Sequence, residues 1–352
     1  MLPEVRGEHS VGFCDIETQD ILVRLYYPSK SKPRYNELGL WFPSKEYLRA
    51  YSHLTGHAYY LSYALVSLFY RNTRLQATEN AEIADLDDIP VVLFSHGLKG
   101  VRTTYSYIAC DFASRGYLVV YLEHRDGSAT FTTIKGEPLP LRVKKEEEDE
   151  FEMRNSQLKK RVEEVSLAMD LIKSLKNGDS IVNLFPQKLP KNHFKVSDLK
   201  DKINMDKLVF CGHSFGAATV VACHHLYNVR CVCIFDAWMF PLETIPTPKV
   251  PILSINSSNF HWPANLEKLF KFLKLGSQSV YCTVQDSCHY HHSDFMFMLP
   301  GFMKRKIGTQ QDPKYFLDTN QDLCMRFIEG DYLVFDSPPV DVEVLDLQLQ
   351  VE

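Results

Sequence analysis

The sequence predicts an α/β fold with a mostly parallel central sheet flanked by helices, and three observations lead there. Residues 89–124 read strand, helix, strand, the unit from which parallel sheets are built. Strands and helices go on alternating to about residue 300. A Gly-His-Ser-Phe-Gly run at 212–216 lies between an apolar strand and a helix of small residues.

The elements follow in order. IPVVLFSHGL (89–98) is a short β-branched run that stops at Ser-His-Gly, as a buried parallel strand does. YSYIACDFASRG (105–116) has helical spacing and ends at Gly116, and YLVVYLEH (117–124) is the next strand. Residues 127–155 turn Thr-rich, then Pro-containing, then charged, with KKEEEDE at 144–150, and read as a surface loop or a mobile flap. SQLKKRVEEVSLAMDLIKSLKNG (156–178) is an amphipathic helix with Leu158, Val162, Val165, Met169 and Ile172 on one face. KLVFCGHS (207–214), CVCIFDAW (231–238), PILSINS (251–257) and SVYCTVQDSCH (279–289) supply strands, with a helix at 215–226. There is no internal repeat.

A chain of 352 residues with 45% hydrophobic content buries a large core, and residues 1–352 are read as one domain. Residues 1–88 form an N-terminal extension within it. In that extension 45–71 is a Tyr-, Leu- and Phe-rich helix expected to pack on the core, the rival being a lipid-facing surface. The net charge of -5 leaves no basic footprint for nucleic acid. The first residues lack the charged head and apolar run of a signal peptide, and no apolar stretch approaches the roughly 20 residues of a membrane span, so a soluble, cytoplasmic protein is expected. Leu2 stands where an N-myristoyl anchor would need Gly. Nine cysteines are an odd count, and Cys211, Cys223, Cys231 and Cys233 fall in apolar segments, which argues for core thiols over a disulfide scaffold or a zinc site.

The chemistry centres on Ser214. The context of Gly212-His213-Ser214-Phe215-Gly216 is that of a nucleophile held on a sharp strand-to-helix turn, where the flanking glycines relieve crowding and Ala217 and Ala218 let the helix lie against the sheet. A serine hydroxyl needs a base, and His289, His291 and His292 crowd one downstream loop. His289 directly follows the last strand and is the choice, with His291 its main competitor. Asp236 ends the strand CVCIF on the same sheet edge as Ser214, whereas the next strand ends in Asn256 and two serines, so Asp236 is the expected acid. Asp286 reads as a loop residue. The tetrahedral oxyanion needs two backbone donors, for which the amides of Phe215 and Leu98 stand in the right loops. Gly97 is expected to supply the tight turn before Leu98, and His96 to brace it. The His-x-His-His cluster lacks a carboxylate ligand pattern, so neither metal nor cofactor is expected.

FSHGL at 94–98, ASRGYLVVYLEHRDGSA at 113–129, GHSFGAAT at 212–219 and DAWMFPLE at 236–243 resemble the platelet-activating-factor acetylhydrolases of the plasma and intracellular type II kind, a branch of the α/β-hydrolase fold. The resemblance covers most of residues 88–300. It implies calcium-independent hydrolysis of an sn-2 acetyl, or a short or oxidised acyl group, from glycerophospholipids; peripheral contact at a membrane surface is the expectation that goes with the lipid-facing reading of 45–71. Its triad falls on Ser214, Asp236 and His289, its oxyanion positions on Leu98 and Phe215, and Asp294 and Phe295 match the end of its histidine segment. The chain departs from the pattern at Ala217, where a second glycine is usual, and at Lys99 and Gly100, where a Gly-Ala pair is usual. Two other readings are a broader carboxylesterase or lipase and a catalytically silent lipid-binding relative, which would have no need of three triad groups. Trp238 and Phe240 suit either an apolar wall for lipid or the core, and Trp262 the core.

Overall fold

The computed structural model describes the chain except residues 31, 33, 55, 187–192, 277, 300, 302–303, 305–310 and 348–352. It divides into two compact units. One comprises Met1–Val91, Leu98–Glu148 and Glu163–Asn204, and the other Val92–Gly97, Asp149–Val162 and Met205–Glu352.

The first unit opens with β1 (Ser10–Glu17) and β2 (Leu22–Ser29), an antiparallel pair in register from Ser10↔Ser29 to Glu17↔Leu22. Next come β3 (Leu38–Leu40), α1 (Lys45–His53), α2 (Tyr59–Tyr70) and β4 (Arg74–Glu79), with β4 parallel to β1 and antiparallel to β3. Strand β5 (Ile89–Ser95) begins in this unit and ends in the other. After α3 (Ser106–Ser114), β6 (Leu118–Glu123) pairs antiparallel with β2. Residues 1–88 therefore contribute sheet strands that the sequence reading did not resolve.

Two expectations change here. The stretch 45–71 is two helices. In α1, Ser44 Oγ caps the N-terminus by accepting Glu46 N–H at 3.3 Å, and Tyr47, Leu48 and Ser52 are buried, whereas α2 buries no residue at all. The 127–155 stretch holds a hairpin, β7 (Phe131–Ile134) and β8 (Glu137–Pro140), because Thr132 turns inward to donate to buried Glu123 at 2.6 Å. Its charged residues 144–149 are a mostly exposed loop. The long helix α4 starts at Glu150, six residues before the periodic pattern becomes visible, and runs to Asn177.

An ion cluster lies in the core of this unit. Arg24 grips Asp15 with Nε and Nη2 at 2.6 and 2.7 Å, Arg102 Nε reaches the same carboxylate at 3.0 Å, and Arg102 Nη1 meets Glu123 at 3.0 Å. Tyr47 OH donates to Glu123 at 2.6 Å. Burial works to raise the carboxyls of Asp15 and Glu123, yet the guanidiniums beside them hold both below the usual range.

The second unit carries a parallel set: β9 (Ile203–His213, whose first two residues belong to the first unit), β10 (Cys231–Phe235), β11 (Ile252–Ser257) and β12 (Ser279–Val284), each pairing with the next. Helix α5 (Phe215–Cys223) follows β9, α6 (Pro263–Lys274) precedes β12, and a short α7 (Phe295–Met298) and long α8 (Pro313–Glu329) come after it. Strand β13 (Val342–Leu345) closes the edge antiparallel to β12. All nine cysteines are buried, and none is in a disulfide. No described helix is long and apolar enough to cross a membrane.

Candidate active site

Strands β9 and β10 run side by side with His213 opposite Phe235, and the next residue of each is a candidate: Ser214 and Asp236. Both leave their strands through left-handed backbone, Ser214 at φ 57° and Asp236 at φ 41°, a conformation that costs a non-glycine residue about 1–3 kcal/mol. Neighbouring hydrogen bonds hold them there. Ser214 N–H donates to Phe235 O at 2.9 Å, Asp236 N–H to Ile255 O at 3.1 Å, and Trp238 N–H to Ser214 O at 3.1 Å. The flanking glycines have steric causes. A Cβ on Gly212 would lie 2.4 Å from Gly216 O, and one on Gly216 only 1.9 Å from Ser95 O.

The Asp236 carboxylate is fully buried. Ser257 N–H donates to Oδ1 at 2.7 Å, Ser257 Oγ–H to Oδ2 at 2.5 Å, and His289 Nδ1 lies 3.0 Å from Oδ2. His292 Nε2 stands 3.4 Å from the same Oδ2. Burial would raise this carboxyl, but the imidazoles of His292 and His289 hold it far below the usual carboxylate range.

Three histidines of one turn divide between two jobs. His289 opens the 3-10 turn His289–His292 and faces Asp236, with its ring stacked on Phe260 at 3.9 Å between centroids. His291 points elsewhere: Nδ1 accepts the Cys288 N–H at 3.1 Å and Nε2 meets Gln311 O at 3.2 Å. His213 completes the cluster with its ring 4.3 Å from His289. Burial first, and then the neighbouring imidazoles, push His213 well below the ordinary histidine range. Sequence reasoning missed His292, His213 and Ser257. Their only signal was membership of the His-x-His-His run, of the serine motif and of the serine pair after β11. Asp286 sits in the turn after β12.

The two oxyanion candidates are each well fixed. Phe215 opens α5, its O accepts from Thr219 Oγ1 at 3.0 Å, and its ring lies 4.2 Å below the guanidinium of buried Arg161. Arg161 Nη1 also donates to His96 O at 2.7 Å, and His96 Nδ1 lies 2.7 Å from Gly97 O, so His96 does brace its turn. Leu98 is half-buried in the first unit. The left-handed φ that shapes this turn belongs to Lys99, at 65°, and not to Gly97; Thr130 Oγ1 donates to Lys99 O at 2.6 Å.

Aromatic rings lie beside Phe215 and His289. Trp238 stacks on Phe240 at 5.6 Å and meets Phe215 edge-on at 5.5 Å, while Phe260 bridges His289 and Trp262. Trp262 is 38% exposed, which overturns its reading as a core residue: Pro263 starts α6 immediately after it and leaves it outside at the helix N-cap. Among the described residues, His213, Asp236 and His289 bring possible metal-ligand atoms within 4.8 Å of one another. Two of the three are already hydrogen-bonded to each other, as an acid–base pair requires.

The mostly parallel sheet flanked by helices defines the class, an α/β-hydrolase fold. A ferulic acid esterase from Streptomyces cinnamoneus shares the fold with a TM-score of 0.69 over 97% of this chain and 98% of that one, at 16% identity. The family model for platelet-activating factor acetylhydrolase, isoform II, matches residues 1–337, and the chain belongs to that family. Platelet-activating factor acetylhydrolase from Bos taurus is 34% identical over 84% of this chain and 69% of its own length. The Gallus gallus protein of that name is 29% identical over 93% and 83%. A putative phospholipase A2 from Schizosaccharomyces pombe is 25% identical over 91% and 87%.

Proposed function

We propose that this chain hydrolyses the sn-2 acetyl, or another short or oxidised acyl group, of platelet-activating factor and related glycerophospholipids, without calcium, through an acyl-enzyme on Ser214. The observation that carries the reading is the Asp236–His289 contact at 3.0 Å, one residue beyond the strand pair that also presents Ser214. With its Nδ1 proton given to Asp236, His289 keeps the Nε2 lone pair for the Ser214 hydroxyl proton. Ser214 Oγ then bonds to the acyl carbon, and the amides of Phe215 and Leu98 receive the oxyanion. The ester C–O bond breaks as His289 returns the proton to the leaving sn-2 oxygen, releasing the lysophospholipid. Water, activated by the same imidazole, frees the acid and regenerates Ser214. No step calls for a metal or cofactor.

Trp238, Phe240, Phe260 and Trp262 are assigned to the apolar part of the substrate. The exposed helix α2 is assigned to peripheral contact with the phospholipid surface: it carries no charged residue, and Tyr60 and Leu68 are 84% and 72% exposed. Nine buried cysteines, none of them in a disulfide, favour a reducing, cytoplasmic location. The likeness to an esterase over 97% of the chain supports reading residues 1–352 as one hydrolase domain.

The test is hydrolysis of a 2-acetyl phospholipid beside its long-chain counterpart, with calcium chelated, for the native chain and Ser214→Ala. An acetyl-selective rate that falls by several orders of magnitude in the variant is expected. An essential Ser214 without acetyl preference would leave a general carboxylesterase, and activity surviving the substitution would remove the mechanism.

A further inference from the structure

A triad needs one imidazole on its carboxylate, and Asp236 has two. His292 Nε2 lies 3.4 Å from the Oδ2 atom that His289 Nδ1 approaches to 3.0 Å. His292 is fully buried between Phe316 of α8, at 4.8 Å between ring centroids, Phe235 at 5.6 Å and His213 at 5.1 Å. Its other nitrogen is occupied. Asn320 of α8, equally buried, places Nδ2 3.0 Å from His292 Nδ1. An amide NH2 can only donate, so Nδ1 accepts, and the single proton of a neutral imidazole is left on Nε2, facing the carboxylate. Turning the Asn320 amide over would put the Nε2 lone pair against Oδ2, which the anion disfavours.

We propose that His292, held in its Nε2–H form by Asn320, is a positioning residue that acts through Asp236 to set the basicity of His289. This rests on the assignment of Asp236 and His289 as acid and base. A neutral N–H beside Oδ2 offsets part of the cost of burying the anion without adding charge to the site. It also draws negative potential away from the side of Asp236 that faces His289, so the His289 imidazolium is favoured less than it would be by an unshared carboxylate. Burial keeps His292 itself neutral, pushing it below the ordinary histidine range. The other groups that face this cluster are His213 from the end of β9, its own imidazole pushed down by burial, and Tyr281 and Cys288, both raised first by burial and then by Asp236. None of these puts a second positive charge beside Asp236.

The experiment is the pH profile of kcat/KM on p-nitrophenyl acetate for the native chain, His292→Phe, His292→Gln and Asn320→Leu, with folding followed by near-ultraviolet circular dichroism. Removing the N–H in His292→Phe strengthens the pull of Asp236 on His289 and moves the acid limb to higher pH, on the order of half a pH unit, with KM unchanged. His292→Gln, which presents an amide N–H at similar reach, returns the limb towards its native position. Asn320→Leu shifts it in the same direction as His292→Phe, since the tautomer is no longer imposed, and so carries the test if His292→Phe does not fold. Equal limbs in all folded variants, or equal shifts in the Phe and Gln variants, would overturn the inference. A His289→Ala control separates the two levels: full activity in that variant refutes the triad assignment itself, whereas an inactive control with unmoved limbs refutes only the role of His292.

Discussion

Ser214 and Asp236 each sit one residue beyond the members of a single strand pair, His213↔Phe235, and both adopt positive φ, at 57° and 41°. Two adjacent parallel strands thus both end in a residue of positive φ at the same edge of the sheet, one opening α5 and the other a loop. Such strained backbone persists only where its surroundings enforce it, and several of the features that do so can be tested.

The closest constraint is at Gly216. Its missing Cβ would stand 1.9 Å from Ser95 O, a contact with backbone that cannot move aside as a side chain would. Gly216→Ala is expected to abolish reaction with an active-site phosphonate and to lower the unfolding midpoint by several degrees. Full labelling of the variant would contradict the steric account.

Ser257 holds Asp236 with two donors, and only the backbone one survives Ser257→Ala. A hydrogen bond to a charged group contributes about 1.5–3 kcal/mol. A fall of roughly ten- to a hundredfold in kcat with little change in KM is expected on a soluble ester. An equal loss spread into KM would place Ser257 in substrate binding instead.

Acid should destabilise the protein in two stages. Burial holds His213, His292 and His291 below the ordinary histidine value of 6.5, so below that pH the unfolded chain takes up protons that the native state refuses. Stability is full above about 6.5 and falls with pH, by at most about 1.4 kcal/mol per pH unit for each such group. Asp236, held far below 3.8, adds its own loss only once the pH drops under that value. Urea unfolding at pH 7.5 and 5.5 measures the first stage, and a midpoint that does not decline would refute it.

The core cluster of Asp15, Arg24, Arg102 and Glu123 should tolerate no single deletion. Arg102→Met takes the guanidinium from Glu123 and one of the two from Asp15, and removing one partner of a buried ion pair costs about 3–5 kcal/mol. Chemical denaturation of the variant is the measurement. A loss under about 1 kcal/mol would mean that the cluster behaves like a surface pair.

Helix α2 should behave as a surface. Leu61, Leu65, Leu68 and Phe69 are exposed, so replacing them with Ser or Gln is expected to leave the thermal midpoint within a degree or two while lowering hydrolysis of phospholipid in vesicles. The rate on a soluble ester should not move. Equal rates on both substrates would remove the interfacial role.

The sequence by itself determined the parallel strands from residue 89 onward, the serine turn, and the choice of His289 and Asp236 as neighbours. Each is written in a local pattern: a β-branched run that ends abruptly, a pair of glycines around a serine, a carboxylate or histidine just past a strand end. What only the tertiary structure decided depends on which distant segments meet. The apolarity of α2 reads like core, yet none of its residues is buried, whereas α1 beside it sends Tyr47 into the ion cluster. His289, His291 and His292 are equivalent in sequence. Asp236, Gln311 and Asn320, from three separate segments, give one of them to the candidate base position, one to loop packing and one to the far side of the acid. A histidine's role is set by the partners of its two nitrogens, and those partners are assembled by the fold.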